Sequence, residues 1–132
     1  MVAAITLESA TTRVHRWLAV QRPGSLVISD WVIAEVSSAL SLKIRTGVLD
    51  PMERTSALAA FNSQIARSLT VLPVAGAHFL AAARYADRHE LNVRSGDALH
   101  LAIAAAHGAS LITLDRRLHS AGLALGVALE TV

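Results

Sequence analysis

Three short apolar runs do most to set what this chain can fold into: Ser25-Leu26-Val27-Ile28-Ser29, Leu69-Thr70-Val71-Leu72 and Ser110-Leu111-Ile112-Thr113-Leu114. Each is too short for a helix, and glycine or proline stands close by, so each reads as a buried strand. Longer stretches with helical character separate them. Strands that are apolar throughout and alternate with helices belong to a mostly parallel sheet with helices on its faces. The expectation is an α/β fold: one domain over residues 1–132, its short, mostly parallel sheet flanked by helices.

The helices follow from local signals. Residues 8–21 read as a helix with Val14, Trp17 and Leu18 along one side, ended by Arg22-Pro23-Gly24. Asp30 is expected to cap a helix that runs to about Thr46 and stops at Gly47. Asp50-Pro51 opens another, because proline suits the first helical turn, and it continues to about Ser68. Gly76 to Glu90 is helical and alanine-rich, a further helix runs from Gly96-Asp97 to Gly108, and a short one starts at Asp115. Gly126 to Thr131 is the expected last strand, at the sheet edge, and Met1 to Ile5 the tail of a strand.

Composition narrows the function classes. Hydrophobic residues make up 53% and charged residues 17%, the wrong balance for disorder. There are 0 cysteines, which excludes disulfides, thiolate zinc sites and cysteine nucleophiles and fits a reducing cytoplasm. The formal charge is +2, while the sequence pI is about 9.9. The gap arises because Lys43 is the only lysine and arginines stay protonated, so the pI overstates the positive field. The N-terminus lacks a basic start before an apolar stretch, and Glu8 interrupts what apolar run there is, unlike a signal peptide. The greasy segment Leu99 to Leu114 is broken by His100, His107, Gly108 and Ser110, so no membrane segment is expected.

Phosphate loops of the GxGxxG and GxxxxGK[ST] types are absent, and so is the GxSxG elbow. None of the 6 histidines forms HExxH; His100 and His107 share a helix face and read as polar surface. Among the 10 carboxylates, Glu8, Asp50, Glu53, Asp87, Glu90 and Glu130 lie beside turns or polar neighbours. Glu35, Asp97 and Asp115 differ, because each is set in apolar sequence. Asp97 and Asp115 stand at helix starts, where a plain cap explains them as well, and Glu35 also fits a partly exposed helix position. In a parallel sheet, strand carboxyl ends and the helix starts after them converge on one edge, and Asp30, Glu35 and Asp115 all follow strands. Carboxylates gathered there repel one another unless a cation is present. Oxygen ligands alone suit magnesium or manganese, which assists phosphodiester hydrolysis.

Three stretches carry a resemblance: Ser29-Asp30-Trp31-Val32-Ile33-Ala34-Glu35-Val36, Arg94-Ser95-Gly96-Asp97-Ala98-Leu99-His100-Leu101-Ala102 and Leu111-Ile112-Thr113-Leu114-Asp115. In this order they resemble the PIN-domain ribonucleases, in particular the VapC toxins of toxin–antitoxin pairs. The resemblance implies a single PIN-like domain and a magnesium- or manganese-dependent endoribonuclease, cytoplasmic and neutralised by a cognate antitoxin. It also implies a homodimer. It assigns catalytic and metal-binding roles to Glu35, Asp97 and Asp115, and an accessory role to Thr113. Arg94, Arg116 and Arg117, beside these acids, are candidates for RNA phosphate contacts, though balancing acids and capping helices explains them equally. Trp17 and Trp31 read as core residues.

The chain departs from that family in one respect. The family opens with a strand ending in aspartate and a small hydroxyl residue, and no such aspartate precedes Glu8. Met1 to Glu8 resembles the segment that comes after that motif, so the expectation is a domain lacking its first strand and first acid. The alternative readings are a catalytically inactive PIN-like module that binds an antitoxin or RNA, and an unrelated α/β binding domain in which Asp97 and Asp115 only cap helices.

Overall fold

The protein is represented by a computed structural model that describes Thr6 and residues 9–132. The stretch Met1 to Ile5, the expected strand tail, lies outside the described residues, as does Glu8. The chain divides into two compact units, Met1–Pro73 and Val74–Val132.

In the first unit, α1 (Thr11–Ala19) turns Val14, Trp17 and Leu18 inward to half-burial while the positions between them are exposed, as the spacing predicts. A tight turn through Gly24 leads into β1 (Val27–Ser29), which pairs in parallel with β2 (Thr70–Leu72), Ile28 opposite Val71. Parallel neighbours need a crossover, and two helices supply it: α2 (Asp30–Arg45) and α3 (Pro51–Ser68). The start of α2 differs from expectation by one residue. Ser29, still extended at φ −103°, is its cap residue, and Asp30 is already helical. Gly47 ends α2 at φ +70°, a left-handed conformation that costs a residue with a Cβ about 1–2 kcal/mol. The Gly47 amide donates to Ile44 O at 3.0 Å and the Val48 amide to Lys43 O at 2.8 Å, satisfying two of the helix's last carbonyls.

The start of α3 is a capping box. Asp50 Oδ1 accepts from the Glu53 amide and Glu53 Oε2 from the Asp50 amide, each at 2.8 Å, with Pro51 in the first turn. Val36 and Leu40 on α2, Ala57 and Phe61 on α3, and Ile28 on β1 form the core of this unit. The helical pairs are spaced by four residues, so each helix presents one apolar ridge. Leu40 is 0% exposed and Phe61 1%.

The second unit runs α4 (Gly76–Ala86), a single 3₁₀ turn (His89–Leu91), α5 (Ser95–Ala106), β3 (Leu111–Ile112), α6 (Arg116–Ala124) and β4 (Leu129–Glu130). The expected helix from Gly76 to Glu90 therefore stops four residues early. Its last stretch is the 3₁₀ turn, closed by Asn92 in the left-handed region at φ +49° and braced by Arg88 Nε, which donates to Glu90 Oε1 at 2.8 Å. Six residues of α5, among them Ala98, Leu99, Leu101 and Ala102, are buried, which explains its nearly continuous apolar sequence. Strands β3 and β4 pair in parallel, Leu111 opposite Leu129, with α6 as the crossover. Leu101, Ala104, Leu118, Ala121 and Val127 make the core. In α6, Gly122 allows close approach: a Cβ there would sit 2.9 Å from side-chain carbons of both Leu101 and Leu129.

Both strand pairs are parallel and flanked by helices, as expected for an α/β fold. Among the described residues they form two pairs, one in each unit. No helix among the described residues is long and apolar enough to cross a membrane.

Candidate functional site

Asp115 is the best defined of the sequence-predicted acids. It lies three residues beyond the end of β3 and is the cap residue of α6, held extended at φ −82°, ψ 114°. Its Oδ1 accepts from the Arg117 amide at 2.7 Å and the Leu118 amide at 3.3 Å. Arg117 Nη2 lies 3.7 Å from Oδ2. These two amides, with the Arg117 charge adding less, hold the Asp115 carboxyl below its ordinary range, so it is ionised at neutral pH. Thr113 acts on the same residue. Its Oγ1 accepts from the Asp115 amide at 3.0 Å and fixes the backbone from which the carboxylate projects.

Asp97 is half-buried and stands third in α5, not at its cap. The cap residue is Arg94, whose guanidinium offers no acceptor, so only half of a capping box can form. That half is weak: the Arg94 amide donates to Asp97 Oδ2 at 3.4 Å. Ala98 and Leu99, the next two residues, are buried.

Glu35 belongs to the first unit, half-buried on α2 one residue before buried Val36. Asp30 is exposed in the first turn of the same helix. Among the described residues, no three His, Asp or Glu side chains are grouped as a metal ion requires. The carboxylates of Glu35, Asp97 and Asp115 fit magnesium or manganese in donor chemistry.

The predicted RNA-contact arginines are placed unequally. Arg94 is exposed as the cap residue of α5. Arg116 and Arg117, exposed in the first turn of α6, line an open groove of about 450 Å³ between that helix and the 3₁₀ turn, together with Glu90, Asn92 and Ser120. Sequence reasoning did not single out Asn92 or Ser120, and no local signal joins a turn to a helix more than two dozen residues later.

Known proteins place the chain in a family. The family model described as PIN domain matches residues 1–123. The solved structure of FitAcB from Neisseria gonorrhoeae is similar at a TM-score of 0.68 and 20% sequence identity, covering 97% of this chain and 91% of that one. At that identity the likeness concerns the fold. No curated protein matches the chain in sequence.

Proposed function

The chain belongs to the PIN-domain family, whose members are generally nucleases that use divalent metal ions, and from that premise we propose that it is a magnesium- or manganese-dependent endoribonuclease of the VapC toxin type. In this reading Glu35, Asp97 and Asp115 are the catalytic and metal-binding acids, a cognate antitoxin neutralises the activity, and the working form is a homodimer. The observation that carries the proposal is Asp115. It is an ionised carboxylate at the start of α6, fixed through its own backbone by Thr113 and through Oδ1 by two amides. A divalent ion beside such acids neutralises charge on the phosphate under attack. The chain's own part is to keep a hard oxygen donor ionised and aimed, with Arg117 next to it for the phosphate.

Substitution tests this. Asp97→Asn abolishes metal-dependent RNA cleavage while the circular dichroism spectrum and thermal midpoint stay near wild type, because the weak 3.4 Å bond is the main local contact that changes. Undiminished cleavage by a pure Asp97→Asn preparation removes the assignment.

The alternative reading is a non-catalytic module that binds an antitoxin or RNA. Manganese titration of the folded chain by calorimetry separates the two. Heat of binding that disappears in Asp115→Asn supports the enzyme, and a flat titration supports the module.

A further inference from the structure

We propose that the groove between the 3₁₀ turn His89–Leu91 and α6 is a track for the backbone of single-stranded RNA, with Arg116 and Arg117 on phosphates and Ser120 accepting a hydrogen bond from a ribose 2′-hydroxyl. This rests on the ribonuclease reading and adds to it a strand path and a basis for choosing ribose over deoxyribose.

The groove, at about 450 Å³, is of the size of a ligand cleft (roughly 300–1,000 Å³). Its charge is positive where it is free. Glu90, the acid in its lining, is bonded to Arg88 Nε at 2.8 Å, which draws its carboxyl below the ordinary range and offsets its charge. Arg116 and Arg117 stand opposite, and the Arg117 side chain is 62% exposed. Its contact with Asp115 Oδ2 is a long one, Nη2 at 3.7 Å, and a guanidinium has five N–H donors, so others remain for a second anion. That position sets the phosphate-binding end of the groove against the carboxylate assigned to chemistry.

Ser120 gives the groove its second property. Its hydroxyl proton is committed, because Oγ donates to the Arg116 carbonyl at 2.9 Å. What Oγ then presents to the groove is lone pairs alone. A phosphate oxygen, itself an acceptor, is repelled there, whereas a ribose 2′-hydroxyl has a proton to give. Ser120 lies four residues after Arg116, on the same helix face, so the sugar contact sits one turn along α6 from the phosphate contact.

The test measures binding by the full chain in EDTA, so that no cleavage contributes. Fluorescence anisotropy tracks a labelled single-stranded RNA, the DNA of the same sequence, and the 2′-O-methyl RNA, which lacks the donor. Wild type prefers RNA to both. Ser120→Ala lowers RNA affinity about 2- to 10-fold, the effect of one hydrogen bond, and leaves DNA unchanged. Arg116→Ala and Arg117→Ala weaken RNA and DNA alike, each flattening the salt dependence of log K by about 0.7. Equal losses for RNA and DNA in Ser120→Ala overturn the sugar contact. Wild-type salt slopes in both arginine variants, with RNA still bound, overturn the track while the ribonuclease reading stands. If wild type neither binds nor cuts RNA, both fall.

Discussion

Replacing Asp115 by asparagine and by alanine separates its two duties, and the structure sets the size of each. Its Oδ1 takes the Arg117 and Leu118 amides at 2.7 and 3.3 Å, two of the four free donors at the start of α6. Alanine removes that acceptor and destabilises the fold by about 1 kcal/mol, within the roughly 0.5–2 kcal/mol range for lost helix caps. For a chain of this length that lowers the thermal midpoint by about 3–5 °C. Asparagine keeps an oxygen in the same place and loses only the charge, which at an exposed helix start contributes about 0.3–1 kcal/mol. The variants therefore rank wild type, asparagine, alanine in stability, while both variants lose cleavage. The pH dependence has a fixed sign. The folded carboxyl titrates below its unfolded value of 3.8, so the charged form stabilises the fold above that value, and the benefit is lost as pH falls through the folded value. The gap between wild type and Asp115→Asn is accordingly constant near neutral pH and narrows as pH falls from 3.8 through the folded value. Urea unfolding at several pH values gives the gap, and a fluorogenic RNA gives the cleavage. Equal destabilisation by asparagine and alanine, or a gap that does not change with pH, refutes the capping argument. Full cleavage by Asp115→Asn refutes the chemical one.

Further substitutions test individual contacts. Thr113→Val removes the acceptor of the Asp115 amide and costs about 0.5–1.5 kcal/mol in urea unfolding, with a loss of cleavage that Thr113→Ser restores. Phe61→Ala, at 1% exposure, leaves a cavity and costs about 3–5 kcal/mol, read as a lower denaturant midpoint. Gly122→Val drives its side chain into Leu101 and Leu129, already 2.9 Å from a bare Cβ, and costs about 1–3 kcal/mol by thermal unfolding.

The parts of this fold that sequence made legible are those set by contacts a few residues apart. Asp50-Pro51 opens α3 because the box with Glu53 closes over three residues, and Gly47 and Gly108 end their helices because each adopts positive φ. Strand positions were legible as well, since a short apolar run has few other uses, though only Leu111–Ile112 of the third run joins a ladder. Misplaced boundaries have local causes of a subtler kind. The break after Ala86 depends on the Arg88–Glu90 pair and on Asn92 accepting a left-handed conformation, which neither alanine content nor period announces. The pairing of strands and the groove beside α6 depend on residues far apart in the chain, where a single sequence is silent.

The acids show where this boundary falls for chemistry. Each of the two in the second unit has a local explanation, and capping and catalysis do not compete, because a carboxylate held by amides is also preorganised. What differs is how much of each residue the local contacts account for. Asp115 has two amides, an arginine and a hydroxyl-fixed backbone, so stability and chemistry are both drawn from it. Asp97 has one long bond at 3.4 Å from the amide of Arg94, yet it stands half-buried in a helix whose next two residues are in the interior. The local contacts therefore account for less of Asp97 than of Asp115. Of the two, Asp97→Asn is therefore the substitution that separates function from stability most cleanly, and its cleavage assay bears hardest on the nuclease assignment.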